Sequence, residues 1–209
     1  MNTAAAPLTK FDYERYFNKG ISYATYKEQM AADFISNPDT KIQEYISLNQ
    51  NRMRRVEKTY APSEELLLQL GNLHHKTKWL VLTEHWCGDA SQSLPVLNKI
   101  AELSEGKIEL KLVYRDENLD LMDAHLTNNG RAIPKLIQLN EHYNITGIWG
   151  PRPNEGQDLV KKLKANPETA ATYAADLHLW YARNKQQAME KEMAKLIFKA
   201  NLFCPDCLS

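Results

Sequence analysis

Cysteine is scarce in this chain, three in 209 residues and an odd number. That excludes the paired disulfide framework of small secreted domains. The three cysteines are therefore read as reactive, metal-binding or incidental. Charge of one sign is not in excess either. Lys plus Arg number 26 and Asp plus Glu number 26, which is not the balance of a polyphosphate-binding surface, so nucleic acid is not an expected partner. Long apolar runs are missing, and the start from Met1 to Pro7 has no basic residues. Neither a secretory leader nor a membrane span is expected, which points to a reducing cytoplasm. The chain has no nucleotide-binding loop, dinucleotide glycine fingerprint, metalloprotease helix or Gly-x-Ser-x-Gly elbow. No cofactor is expected, and there is no internal repeat or low-complexity segment.

What remains is an ordinary hydrophobic fraction, 43%, distributed in alternating element types. Residues 8–37 suggest two short helices around Gly20 and Ile21. Pro38-Asp39 opens a longer amphipathic helix with Ile42, Tyr45, Ile46, Met53 and Val56 on its apolar face. Arg52, Arg54, Arg55 and Lys58 lie beside that face and form either a binding patch or, diluted by Glu44 and Glu57, the solvated surface that is the preferred reading. Ser63 is the expected cap of a helix carrying Leu66, Leu67 and Leu70. Strands are expected at 78–84, at 108–114, at 135–139 and at 145–149, with a helix from Cys87 to about Ser104 and a short one over 118–128. A helix follows from Glu155 to Lys164. Beyond Asn166-Pro167 the pattern is helical to about Leu202, with a break expected between Arg183 and Gln187, since one unbroken helix would exceed the width of the domain. Its stripe of Leu177, Trp180, Tyr181, Ala188, Met189, Met193, Leu196, Ile197 and Ala200 reads as core or a dimer seam.

Two short features carry the chemistry. Trp86-Cys87-Gly88-Asp89-Ala90 closes the first strand and opens a helix, and Ile133-Pro134 follows 46 positions after Cys87. A cysteine at a helix start meets unpartnered N–H groups and the positive end of the helix dipole, both of which stabilise a thiolate. The alternative is a buried cysteine acting as a small apolar residue. Asp89 complements the helix dipole, yet its charge opposes thiolate formation, and it is also a candidate proton acceptor.

The turn and the proline together, in this order and separated by a helix and a strand, resemble the thioredoxin superfamily over roughly residues 62–166. The resemblance implies an α/β, thioredoxin-like fold: a mixed central sheet flanked by helices. Helical extensions would then occupy 1–61 and 167–209. It implies Cys87 as nucleophile with Asp89 beside it. It implies a substrate-binding rim of Trp86, Gly88, Ile133, Pro134 and Arg152. Gly88 would let a partner backbone come close, and Ile133 before a cis proline would pair with an extended substrate. Arg152, in the loop after the last strand, would meet an anionic group or remain a surface residue. Two departures matter. Ala90 stands where the family has its resolving cysteine, and Val81 stands where thioredoxins often carry a buried acid.

The tail, Phe203-Cys204-Pro205-Asp206-Cys207, offers a Cys-x-x-Cys. Cys204 and Cys207 are candidates for a resolving pair, for half a zinc site shared between two chains, or for incidental tail residues. No other metal site is expected. His85, two residues before Cys87, either lowers the thiol pKa or packs in the loop. Three readings stand: thiol–disulfide exchange with protein or small-molecule thiols and disulfides, a non-catalytic module that keeps the fold for binding, and a zinc-bridged dimer. The oligomeric state is not legible.

Overall fold

A computed structural model of the protein describes residues 7–202. The chain begins with α1 (Lys10–Lys19), α2 (Tyr23–Ser36), α3 (Thr40–Thr59) and α4 (Glu64–Gly71). Each start follows from local chemistry. Ser22 Oγ accepts from Thr25 N, Asp39 Oδ1 from Lys41 N, and Ser63 Oγ from Leu66 N, satisfying helical donors that have no partner within the helix. Next come β1 (Thr77–Thr83), α5 (Gly88–Leu103), β2 (Ile108–Tyr114), α6 (Leu119–Asp123), β3 (Lys135–Asn140) and β4 (Ile145–Trp149). The chain closes with α7 (Asn154–Ala165), α8 (Tyr173–Asn184) and α9 (Gln187–Leu202).

The sheet order is β2-β1-β3-β4. β1 runs parallel to β2, with Val81 opposite Leu112, and antiparallel to β3, with Val81 opposite Leu136. β3 and β4 are antiparallel. This is the mixed, helix-flanked α/β sheet that the sequence implies. Trp79, Leu80, Val81 and Leu82 are all fully buried, which explains why β1 reads as an unbroken apolar run rather than an alternating one.

The first and last described helices join the same core. Ile21 pairs through both backbone groups with Leu112 and so covers part of the outer edge of β2. Tyr16, Phe17 and Met30 from the first two helices share one apolar cluster with Met189, Met193 and Ile197 of α9. α3 lies along α5, and α9 against α4 and β4. α8 differs from its neighbours. Leu177 and Tyr181 form a separate small cluster with Val160 of α7, flanked by Tyr173 and Trp180.

The break between the last two helices falls at Lys185 and Gln186, both in the left-handed region at φ 50° and 68°. α6 is shorter than its sequence pattern. Asn128 and Asn129 take φ of 49° and 61° and close a tight turn in which Thr127 and Gly130 exchange backbone hydrogen bonds, a conformation that asparagine tolerates well. No helix among the described residues is long and apolar enough to cross a membrane.

Candidate active site

Cys87 is the N-cap of α5, directly after the strand at the centre of the sheet. Its Sγ accepts from Ala90 N at 3.4 Å and donates to Ile133 O at 3.3 Å. The Ile133–Pro134 peptide is cis, so the turn and the proline loop meet at the sulfur. The N–H groups of the first helical turn act in the expected direction and favour the thiolate. They are outweighed. Burial, with only 7% of the residue exposed, and the charge of Asp89 push the Cys87 thiol from its ordinary 9.0 up to about 12. The resting group is a neutral thiol, not the thiolate that its helix-start position alone suggests.

That shift has a testable cost in stability. A thiol held protonated in the folded state but free to ionise when unfolded makes the unfolded chain the poorer proton binder above pH 9. Its contribution is therefore complete below the unfolded pKa and is lost as pH rises towards about 12. Urea titrations of the wild type and Cys87→Ala at pH 8, 9 and 10 should show the wild type losing up to ~1.4 kcal/mol more per pH unit above pH 9. Parallel pH dependence in the two proteins would contradict a protonated Cys87.

Asp89 is the buried acid of the site, 9% exposed. It does not reach out to solvent. Arg152 Nη2 donates to Asp89 Oδ2 at 2.5 Å, Arg152 Nε lies 3.1 Å from both carboxylate oxygens, and Tyr181 OH donates to Oδ1 at 2.8 Å. The loop after β4 and helix α8 thus converge on one carboxylate beside the thiol. Arg152, expected to face a substrate, has Nε and Nη2 on Asp89 in this structure. Its own charge favours the Cys87 thiolate but is outweighed by burial and the charge of Asp89. Val81 is apolar and fully buried, so Asp89 stands near the sulfur from the helix side, where no acid comes from the strand.

Gly88 is not open to a partner backbone. A Cβ built there would lie 2.9 Å from His178 Cε1 and Nε2, because α8 lays that ring across the turn. The ring stays neutral at ordinary pH. Burial, then the charge of Arg52, hold His178 down to about 4 despite the opposite pull of Asp89.

Arg52 corrects the reading of α3 as a plain solvated face. Buried Asn49 donates to His85 O at 3.0 Å and accepts from Arg52 Nη1 at 2.8 Å, which ties α3 to the loop before Cys87. Arg52 Nη1 comes within 3.5 Å of the Cβ position on Gly88. Gln92 of α5 completes the join, accepting from Arg55 and Gln186 and pairing with His178 Nδ1. A cleft of about 650 Å³ lies over these groups, walled by Trp86, Cys87, Gly88, Arg52, Ile133 and Arg152, with Arg115 and Arg131 at its margin. Arg115 stacks on the Trp86 ring at 4.9 Å. Arg52, Asn49, His178 and Tyr181 escaped the sequence reading as site residues. Asn49, polar on an otherwise apolar face, is the one local signal, and the packing of α3 and α8 brings the others in.

Other expected groups lie elsewhere. His85 turns away from the thiol, with Nδ1 2.8 Å from Asp33 Oδ2 and Nε2 2.8 Å from Tyr114 OH. It packs in the loop and braces α2 against β2. Cys204 and Cys207 lie outside the described residues. Their nearest described anchor is Asn201, whose Nδ2 donates to Asn72 O and whose Oδ1 accepts from His74 N. This fixes the end of α9 at the start of β1, whereas Cys87 follows the other end of that seven-residue strand. Among the described residues no group of three or more His, Cys, Asp or Glu side chains could hold a metal ion.

Comparison with solved structures gives a consistent picture of the fold. A protein of unknown function from Pseudomonas aeruginosa superposes with a TM-score of 0.59 at 23% identity, covering 90% of this chain and 98% of that one. An engineered HIV epitope-scaffold superposes with a TM-score of 0.58 at 21% identity, covering 88% and 96%. No curated protein matches the chain. A family model described as thioredoxin matches residues 35–166, more than half of the sequence, and takes in α3 as well as the sheet, so the chain belongs to the thioredoxin family.

Proposed function

We propose that the protein takes part in thiol–disulfide exchange through a single active-site cysteine, Cys87. The observation that carries this reading is the position of Sγ: at the start of α5, within 3.4 Å of Ala90 N and 3.3 Å of Ile133 O, beside the cis proline. Deprotonated Cys87 attacks a disulfide sulfur and forms a mixed disulfide. Ala90 occupies the position of the resolving cysteine, so release falls to an external thiol or to the tail pair Cys204 and Cys207. The thiol's high pKa makes the attack slow until the site is solvated or its charges are rearranged. Asp89 and Arg152 are the groups placed to govern that step, with Trp86, Gly88, Ile133 and Pro134 as the rim around the sulfur.

A second reading draws on the same burial. A 7% exposed, protonated cysteine also suits a thioredoxin-fold module that binds without chemistry. Intact mass spectrometry separates the two. With Cys204 and Cys207 replaced by Ser, the folded protein incubated with a small disulfide at pH 8 should gain one adduct on Cys87, removable by excess thiol. A folded protein that stays unmodified for hours, while the urea-unfolded chain is labelled, would favour the binding module.

A further inference from the structure

The cleft beside Cys87 is unusual in which elements build it. One wall is α3, with Arg52 and the exposed apolar rim of Tyr45 and Leu48; the opposite wall is α8, with Tyr173, Leu177 and His178. Among the described residues, three of its four arginines are matched by a carboxylate: Arg115 with Asp116, Arg131 with Asp123, and Arg152 with Asp89. Arg52 is not. Its hydrogen-bond partner is the neutral Asn49, and Asp89, paired directly with Arg152, acts on it through charge without contact; a half-buried guanidinium with no carboxylate bound to it attracts an anion. It sits one residue from the nucleophile, next to Gly88. Meanwhile one route for an extended polypeptide is taken, because His178 fills the space over Gly88. The volume, about 650 Å³, is that of a small-molecule site.

We propose that this cleft selects a small disulfide bearing an anionic group, carboxylate or phosphate, docked on Arg52, rather than a disulfide within a protein chain. The proposal rests on the exchange reading above and names the substrate class of that site. The reaction balances without an outside oxidant. Cys87 gives its proton to water, its sulfur bonds one substrate sulfur, the substrate S–S bond breaks, and the leaving thiolate takes up a proton. A second small thiol then attacks the mixed disulfide. A new disulfide forms and Cys87 returns as a thiol.

The test uses the full chain with Cys204 and Cys207 replaced by Ser, and follows mixed-disulfide formation on Cys87 by intact mass. The probes are dithiodipropionate (anionic), hydroxyethyl disulfide (neutral), cystamine (cationic) and insulin as a protein disulfide. Dithiodipropionate should react roughly tenfold faster than the neutral probe, and cystamine and insulin more slowly than either. In Arg52→Gln the anionic-to-neutral ratio should fall to about one, and Arg52→Lys should restore part of it. A ratio, unlike a rate, is insensitive to a general loss of folded protein. Competition by succinate against inorganic phosphate then tells which anion the site prefers. Equal rates for all small probes, an unchanged ratio in Arg52→Gln, or insulin reacting fastest would overturn the proposal while leaving exchange intact. No adduct with any probe would overturn the exchange reading itself.

Discussion

Asp89→Asn should speed the alkylation of Cys87 at pH 8 by roughly tenfold or more. Two changes act in the same direction. The carboxylate that opposes ionisation of the thiol is gone, and Arg152, whose charge favours the thiolate, loses the anion that neutralises it. Each unit by which the pKa falls raises the thiolate fraction about tenfold at a pH well below it. The substitution also costs stability, on the order of 3 kcal/mol, because it leaves a mostly buried guanidinium beside a neutral amide. Reactivity and urea stability should therefore move in opposite senses. Tyr181→Phe is the control. It removes the hydroxyl that donates to Asp89 Oδ1 without changing charge. If the phenylalanine variant is alkylated as fast as the asparagine one, then access past α8, not charge, sets the rate.

Gln138→Leu should destabilise the fold by about 2–5 kcal/mol while leaving the site's chemistry alone. Gln138 is fully buried on β3. Its Oε1 accepts from Trp79 Nε1 at 3.0 Å and its Nε2 donates to Leu196 O at 2.9 Å. One amide thus links the central strand to the last helix. Leucine fills the space but leaves an indole N–H and a helix carbonyl buried without these partners, each costing about 1–3 kcal/mol. Urea denaturation measures the change. A loss below 1 kcal/mol would mean that water or a rearranged neighbour replaces the amide.

The sequence was most readable where a residue's role depends on its neighbours along the chain. The run from Trp79 to Thr83 announces a strand buried on both faces, and Ser63 and Asp39 announce helix starts. Cys87 lies at a strand-to-helix turn, as its flanking residues imply. Legibility failed where the decisive contact is distant. The donors at the start of α5 can be counted from sequence, but the burial that overrides them comes from the main apolar cluster and the proline loop. Arg52 sits among other basic residues and near Glu57, so its run reads as solvent-facing. Asn49, a polar residue on an otherwise apolar face, was the available signal that this part of α3 joins something other than a plain core. The pairing of Asp89 with Arg152 could not be read either. Arg152 was a candidate to meet a substrate anion and Asp89 to complement the helix dipole or accept a proton, and each satisfies the other.

The shared core has a consequence for how the chain is made. Its apolar cluster runs from Tyr13 to Ala200, so the segment through Ala200 must leave the ribosome before the cluster can close. Until α9 emerges, β4 lacks the helix that packs against it, and Gln138 Nε2 lacks the Leu196 carbonyl that it meets. Folding during synthesis can therefore reach a partial sheet with α5 and the N-terminal helices, but not the native state. For that interval the nascent chain presents an apolar sheet face that ribosome-associated chaperones are suited to hold.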